Sequence, residues 1–243
     1  HLRGAKVVDD VGQSLAVKIN GQFIVDGEQP LLEEGQTMFN FAEARNYAAS
    51  LSPTDMVAMP DCDECYTALN LEKISQLIEY GFRRFEYNFV FAHDERGREL
   101  IKFMHSKFYD RTKVRWRGVV HEVLVGEAPN VFLEEKDLKL EHWQNVDQNR
   151  KGYLPGLALD CFLHPENDRN SHYFAREMMY HGRWKSALKE FERHIAMDKW
   201  PPERAQSMIF CGDCCLAAGM ESDGLLWWAK AFQTDGGRRE ALM

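Results

Sequence analysis

The chain has 243 residues, 44% of them hydrophobic and 12% aromatic, enough for one large or two modest packed domains and against wholesale disorder. A formal net charge of -8 argues against broad nucleic-acid binding, so no nucleic-acid partner is expected. No run approaches the ~18 apolar residues of a membrane span, and His1-Leu2-Arg3-Gly4-Ala5-Lys6 leads into no apolar signal-peptide run; the expectation is a cytoplasmic protein without a transmembrane segment, peripheral to a membrane only through partners.

In chain order, Ser14 to Ile19 and Gln22 to Val25 read as strands joined by Asn20-Gly21, a strong hairpin signal. Residues 40 to 49 read as a helix with apolar positions at 41, 44, 48 and 51, stopped by Pro53-Thr54-Asp55. Met56 to Met59 is a short apolar strand bounded by Pro60. The acidic run Asp61-Cys62-Asp63-Glu64 follows it directly. A helix is expected over Leu71 to Tyr80, closed by Gly81. Phe82 to Phe91, Leu100 to Tyr109 and Trp116 to Val125 read as strands, the first two joined by a turn at His93 to Gly97. This alternation points to an α/β domain over residues 1 to 145, whose ligands bind beyond the carboxyl ends of strands.

The remainder, 146 to 243, reads as all helical, with helices at 149 to 162, 168 to 181, 184 to 197, 203 to 218 and 222 to 233. Gly182, Ala187, Phe191 and His194 align with Gly219, Gly224, Trp228 and Ala231 at a constant offset of 37 residues. Turn glycines and packing residues at fixed offsets are the signature of a helical repeat, with an ordinary bundle as the alternative. Six cysteines are present, and reduced, packed thiols are the default for them. A zinc site made from the pairs Cys62/Cys65 and Cys211/Cys214 is weakened by the long separation.

The acidic run admits two readings. Asp61 and Asp63 offer hard oxygen ligands for Mg2+ or Mn2+. Alternatively, Asp63 or Glu64 caps a helix beginning near Thr67. Three further features bear on the choice. Arg45 can grip a phosphate and Asn46 a ribose or base edge, unless Arg45 is a surface ion-pair partner. Within 113 to 122, read as one strand, Trp116 offers a flat wall for a sugar ring and Glu122 a carboxylate for general-base work. The bland alternatives are that Trp116 packs in the core and His121 is a hydrogen-bonded buried histidine. His142, at a strand end after Leu140-Glu141, is a further candidate metal ligand.

These segments stand in a recognisable order. Phe39 to Asn46 resembles a D-F-x-x-A-R-N segment, with Asn40 where Asp is usual. Val57 to Glu64 resembles L-D-A-D-E. Lys107-Phe108-Tyr109 followed by Val114 to Glu122 resembles R-x-F … W-x-G-x-x-H-E, with Lys107 where Arg is common, and Leu140-Glu141-His142 matches a late histidine. Together they resemble GT-A-type glycosyltransferases of family 2, in the bacterial branch with C-terminal tetratricopeptide-like helices. The resemblance implies a GT-A-like α/β domain, incomplete at its N-terminus because no P-x-x-N-E-like opening segment is present, followed by tetratricopeptide-like repeats. It implies inverting, metal-dependent transfer from a nucleotide sugar, a UDP-sugar by expectation, to a hydroxyl on a glycan, lipid-linked saccharide or protein. Asp61, Asp63 and His142 would hold Mn2+ or Mg2+. Arg45, Asn46, Asp61, Lys107, Trp116 and His121 would line the donor site. Glu122 would be the base, with Glu64 as runner-up. The competing reading is a noncatalytic helical-repeat scaffold that binds a protein partner and carries a degenerate transferase domain.

Overall fold

The computed structural model describes residues 6–8, 16–18, 37–143 and 153–237. Three short strands, β1 (Lys6–Val8), β2 (Ala16–Lys18) and β3 (Thr37–Phe39), pair antiparallel in that order. The expected Asn20-Gly21 turn and the strand at 22 to 25 lie outside the described residues. The chain divides into two compact units: one contains β1 to β3 and the C-terminal helices, the other the segment from Asn40 to Trp143.

The second unit is mixed α/β. Helix α1 (Phe41–Ser50) begins at Asn40, whose side-chain oxygen accepts the Glu43 N–H at 3.1 Å and so satisfies one of the free donors of the first turn. Strand β4 (Met56–Ala58) follows, then the acidic run, then β5 (Glu64–Leu69) and α2 (Leu71–Glu79). No helix begins near Thr67. Burial alternates with period two from Glu64 to Leu69, as an edge strand requires, and Asn70 is the cap that starts the helix. Strands β6 (Arg84–His93) and β7 (Glu99–Asp110) form a long hairpin.

The expected strand from Trp116 to Val125 is broken into β8 (Val114–Arg117) and β9 (Val123–Gly126), an antiparallel hairpin. Its connection turns through Gly118 at φ 113° and His121 at φ 51°. These backbone values are incompatible with a continuous strand, so the two-faced alternation expected across 116 to 122 does not exist. Strands β10 (Asn130–Leu133) and β11 (Leu138–His142) complete the unit. The main sheet runs β4-β7-β6-β11-β5, and β10 joins β6 in parallel beside β11.

Paired residues share a face, so Phe85 and Phe108 point one way and Tyr109 and Val57 the other. The first face packs Phe85, Tyr87, Phe89, Leu138 and Leu140 against Ile74 and Leu77 of α2. The second packs Val57 and Tyr109 against Ala42 and Ala49 of α1 and Val114 and Trp116 of β8. The acidic run therefore sits beyond the carboxyl end of β4, within reach of Arg45 on α1.

In the helical unit, α3 (Tyr153–Leu163), α4 (Asp168–Tyr180), α5 (Trp184–Ala196), α6 (Pro201–Ala217) and α7 (Glu221–Thr234) follow one another, each packed on the next. Links of three residues join α4 to α5 and α6 to α7, short enough to require antiparallel neighbours. Each of those links carries a glycine with positive φ, Gly182 at 72° and Gly219 at 77°, so the offset read in the sequence marks equivalent turns. Gly212 has a different role. A Cβ there would lie 2.2 Å from Trp228 Nε1, so its absence lets the α7 indole reach the α6 backbone and donate to Ile209 O at 3.1 Å. Among the described residues no helix is long and apolar enough to cross a membrane.

Candidate functional site

Arg45, in the middle of α1, reaches two carboxylates. Its Nε donates to Glu122 Oε1 at 2.5 Å and its Nη2 to Asp61 Oδ1. The other oxygen of Asp61 accepts from Lys107 Nζ at 2.7 Å, and the same ammonium donates to Glu64 Oε1 at 2.5 Å. Glu64 closes the ring, because its Oε2 accepts the Asp61 backbone N–H at 2.7 Å. Lys107 and Glu64 are almost wholly buried, with side chains 5% and 3% exposed. A charge at such depth is stable only with opposite partners. Burial alone would raise the Asp61 carboxyl, but Lys107, then Arg45, hold it below the usual carboxylate range. Burial would lower Arg45, and Glu122 and Asp61 outweigh it, so the guanidinium stays charged.

Beside this ring, β11 pairs antiparallel with β5 in a register that sets His142 opposite Glu64. The ring of His142 thereby meets Asp63, with Nε2 3.1 Å from Oδ2, while Nδ1 lies 3.1 Å from Phe91 O. Both neighbours are acceptors. A neutral imidazole donates to one of them: with its proton on Nε2 it donates to Asp63, and with its proton on Nδ1 it donates to Phe91 O and turns the Nε2 lone pair toward Asp63. The second arrangement is the one a metal-binding histidine takes when a backbone carbonyl orients it, and in it His142 and Asp63 would be able to hold a divalent cation. The Phe91 ring stacks on His142 at 5.2 Å, and the Trp143 N–H donates to Asp63 O at 2.8 Å. Phe91 and Trp143 carry no local motif; only the pairing of β6, β11 and β5 reveals them.

Asp61 does not join Asp63 and His142 in a close three-ligand group. Both its oxygens are turned to Arg45 and Lys107, and among the described residues the group whose three ligand atoms lie within 4.8 Å of one another is in the helical unit. Around the ring and the Asp63–His142 pair, four carboxylates (Asp61, Asp63, Glu64, Glu122) face two permanent cations, Arg45 and Lys107. Among these six side chains the carboxylates outnumber the permanent cations by two, an excess that a divalent ion would offset.

The remaining candidates are anchors. Trp116 is buried at 3% exposure, its Nε1 donates to Tyr109 Oη at 2.8 Å, and the Arg45 guanidinium lies 5.0 Å over its ring. Its indole is a core element and a platform for Arg45 rather than an open wall for a sugar. The amide of Asn46 is spent on the backbone of Trp116, accepting its N–H at 2.9 Å and donating to its carbonyl at 3.0 Å. That clamp fixes β8 to α1 and leaves the ribose role without a free amide. His121 occupies the left-handed turn that brings Glu122 to Arg45. The cysteines separate likewise: Cys62 and Cys65 are exposed, whereas Cys211, Cys214 and Cys215 are buried, and burial pushes the Cys214 thiol up to about 12.

No protein-family model matches this chain, and no curated protein matches it. Among solved structures, the chain is similar to the N-terminal domain of stress-induced protein-1 (STI-1) from C. elegans, at 12% identity over 35% of this chain and 70% of that one, with a TM-score of 0.33.

Proposed function

We propose that the unit spanning residues 40 to 143 is a GT-A-like sugar-transfer domain that uses a nucleotide sugar, a UDP-sugar by preference, and a divalent cation, Mn2+ or Mg2+. The helical unit is proposed to be a tetratricopeptide-like repeat that holds a protein or glycan partner. One observation carries the reading. Arg45, Asp61, Lys107 and Glu122, drawn from three separate motifs, meet in one ion network, and Asp63 and His142 meet beside it.

In this reading Asp63 and His142 hold the ion, which offsets the charge of the diphosphate leaving group. Arg45 and Lys107 face the donor phosphates and, when the donor is absent, are occupied by Asp61, Glu64 and Glu122. Phosphate binding to Arg45 releases Glu122. Glu122 then takes the proton of an acceptor hydroxyl as that oxygen attacks the anomeric carbon and the sugar–phosphate bond breaks. The acceptor is a hydroxyl of a glycan, lipid-linked saccharide or protein.

The test measures UDP release and thermal shift with UDP-glucose and UDP-N-acetylglucosamine, each with and without Mn2+. Glu122→Gln is expected to keep donor binding and lose on the order of 10²–10⁴-fold in turnover. Asp63→Ala is expected to remove the Mn2+-dependent shift. Wild-type turnover in the first variant overturns the base assignment, and an unchanged shift in the second overturns the ion assignment.

A noncatalytic scaffold is the second reading, and the closure of the network favours it: Asp61, Glu64 and Glu122 are already neutralised from within the chain. Absence of any Mn2+-dependent shift with either donor would select it.

A further inference from the structure

The helical unit brings three ligating side chains together from three helix ends. Asp168 is the first residue of α4, His194 lies in the last turn of α5, and Glu203 lies in the first turn of α6. One ligand atom from each falls within 4.8 Å of the other two. His194 is 3% exposed and its Nδ1 has no hydrogen-bond partner. Its Nε2 lies 3.7 Å from Glu203 Oε2, beyond hydrogen-bond reach. A buried ring nitrogen without a partner is costly, and one nitrogen of this imidazole lies within 4.8 Å of an oxygen of each carboxylate.

We propose that Asp168, His194 and Glu203 bind a divalent transition-metal ion of the zinc class, with water completing the shell, and that this ion pins the ends of α4, α5 and α6 together. One imidazole nitrogen and two carboxylate oxygens suit Zn2+ better than Ca2+, which takes six to eight oxygens. Ligand atoms about 2.0–2.2 Å from a shared tetrahedral centre stand roughly 3.4 Å apart. The present spacing, within 4.8 Å, needs a contraction of at most about 1.4 Å, within reach of carboxylate rotamers at helix ends. Lys199 Nζ, 3.6 Å from Asp168 Oδ1, is the competing cation. This proposal is independent of the transfer reading, whose ion sits on Asp63 and His142.

The experiment uses the full chain carrying Cys62→Ser, Cys65→Ser and Asp63→Asn, which silences the exposed thiols and the other carboxylate. After chelation and dialysis, Zn2+ is titrated by calorimetry and the melting temperature is followed. One saturable Zn2+ per chain and a rise in melting temperature are expected, with no equivalent response to Ca2+. Asp168→Asn and Glu203→Gln, near-isosteric and at partly exposed helix ends, should each weaken binding by at least the ~10–100-fold that even outer-sphere partners of a metal ligand are worth. His194→Gln should do the same. Lys199→Met should tighten binding, because it removes the competitor without touching a ligand. Circular dichroism of the metal-free variants verifies that they are folded. No saturable binding, equal binding of Ca2+, or affinity unmoved by Asp168→Asn and Glu203→Gln overturns the proposal.

Discussion

The two units bury polarity with different emphasis, although the helical unit also buries Asp160 and Glu177. In the sheet unit the buried groups are full charges held by full charges: Lys107 lies between Asp61 and Glu64, Arg45 between Asp61 and Glu122, and Glu141 against Lys139. In the helical unit they include hydroxyls and imidazoles among aromatic rings. His172 meets Ser207 Oγ at 2.7 Å and lies against Phe191, Phe210 and His194. A charge network is indifferent to mild pH change but intolerant of a lost member. A neutral imidazole network tolerates substitution better but must exclude protons.

The largest expected effect breaks the first kind of burial. Lys107→Met keeps the length of the side chain and removes the cation, leaving Glu64 and one oxygen of Asp61 uncompensated at depth. Removing one partner of a buried pair costs about 3–5 kcal/mol. Urea unfolding should show that loss. A change under about 1 kcal/mol would mean that water already serves these carboxylates.

The second prediction separates the units by pH. Burial pushes the His172 imidazole down to about 4, with Glu203 opposing it. The unfolded chain then binds more protons than the folded one between the ordinary histidine value, ~6.5, and about 4. Stability from this group is complete above that upper value, falls as pH drops through the window, and is lost below about 4, to the extent of roughly 3 kcal/mol. Asp61 behaves differently. Its carboxyl is held below the carboxylate range, so its contribution persists until pH falls through and below that range. Stability measured from pH 7 to pH 4 should therefore decline in the wild type and decline less in His172→Gln. Parallel curves would show that His172 is not the titrating group.

Much of this arrangement is legible in the sequence, and the limits have physical causes. Helices α1, α2 and α4 to α7 follow from apolar spacing and turn glycines, and the structure adds asparagine caps at 40, 70 and 167. The run 64 to 69 is harder, because Tyr66, Thr67 and Leu69 suit strand or helix until a partner strand decides. The break at 118 to 122 is hidden because a non-glycine residue, His121, takes a left-handed conformation that only the surrounding fold compels. Likewise, the residue types of the candidate site are visible in the sequence, but their pairing is not. That Asp61 turns to Arg45 and Lys107 while Asp63 turns to His142 depends on the β5–β11 register, a contact across nearly eighty residues.

A smaller effect tests the clamp between α1 and β8. Asn46→Ala strands the N–H and carbonyl of Trp116 and should cost about 2 kcal/mol, within the ~1–3 kcal/mol of an unsatisfied buried group. Asn46→Asp keeps the acceptor for the N–H but sets a carboxylate against the carbonyl, so it should not restore stability. If Asn46→Asp matched the wild type, the donated bond to Trp116 O would contribute nothing.

The smallest effect tests a local signal against a long-range one. Asn70 accepts the Lys73 N–H at 3.0 Å as the cap of α2, and its amide donates to Asp137 Oδ1 at 3.0 Å across the turn before β11. Asn70→Ala removes both, for about 1 kcal/mol if the cap dominates. Asn70→Ser retains a cap oxygen and loses the amide donor. Asp137→Ala leaves the cap intact and removes its distant partner. If stability in urea follows the order wild type, Asn70→Ser, Asn70→Ala, with Asp137→Ala close to Asn70→Ser, the cap starts the helix and the Asp137 bond adds a fraction. If Asn70→Ser is as weak as Asn70→Ala while Asp137→Ala matches them, the local signal at residue 70 is secondary, and the long-range bond to β11's approach holds α2 in place.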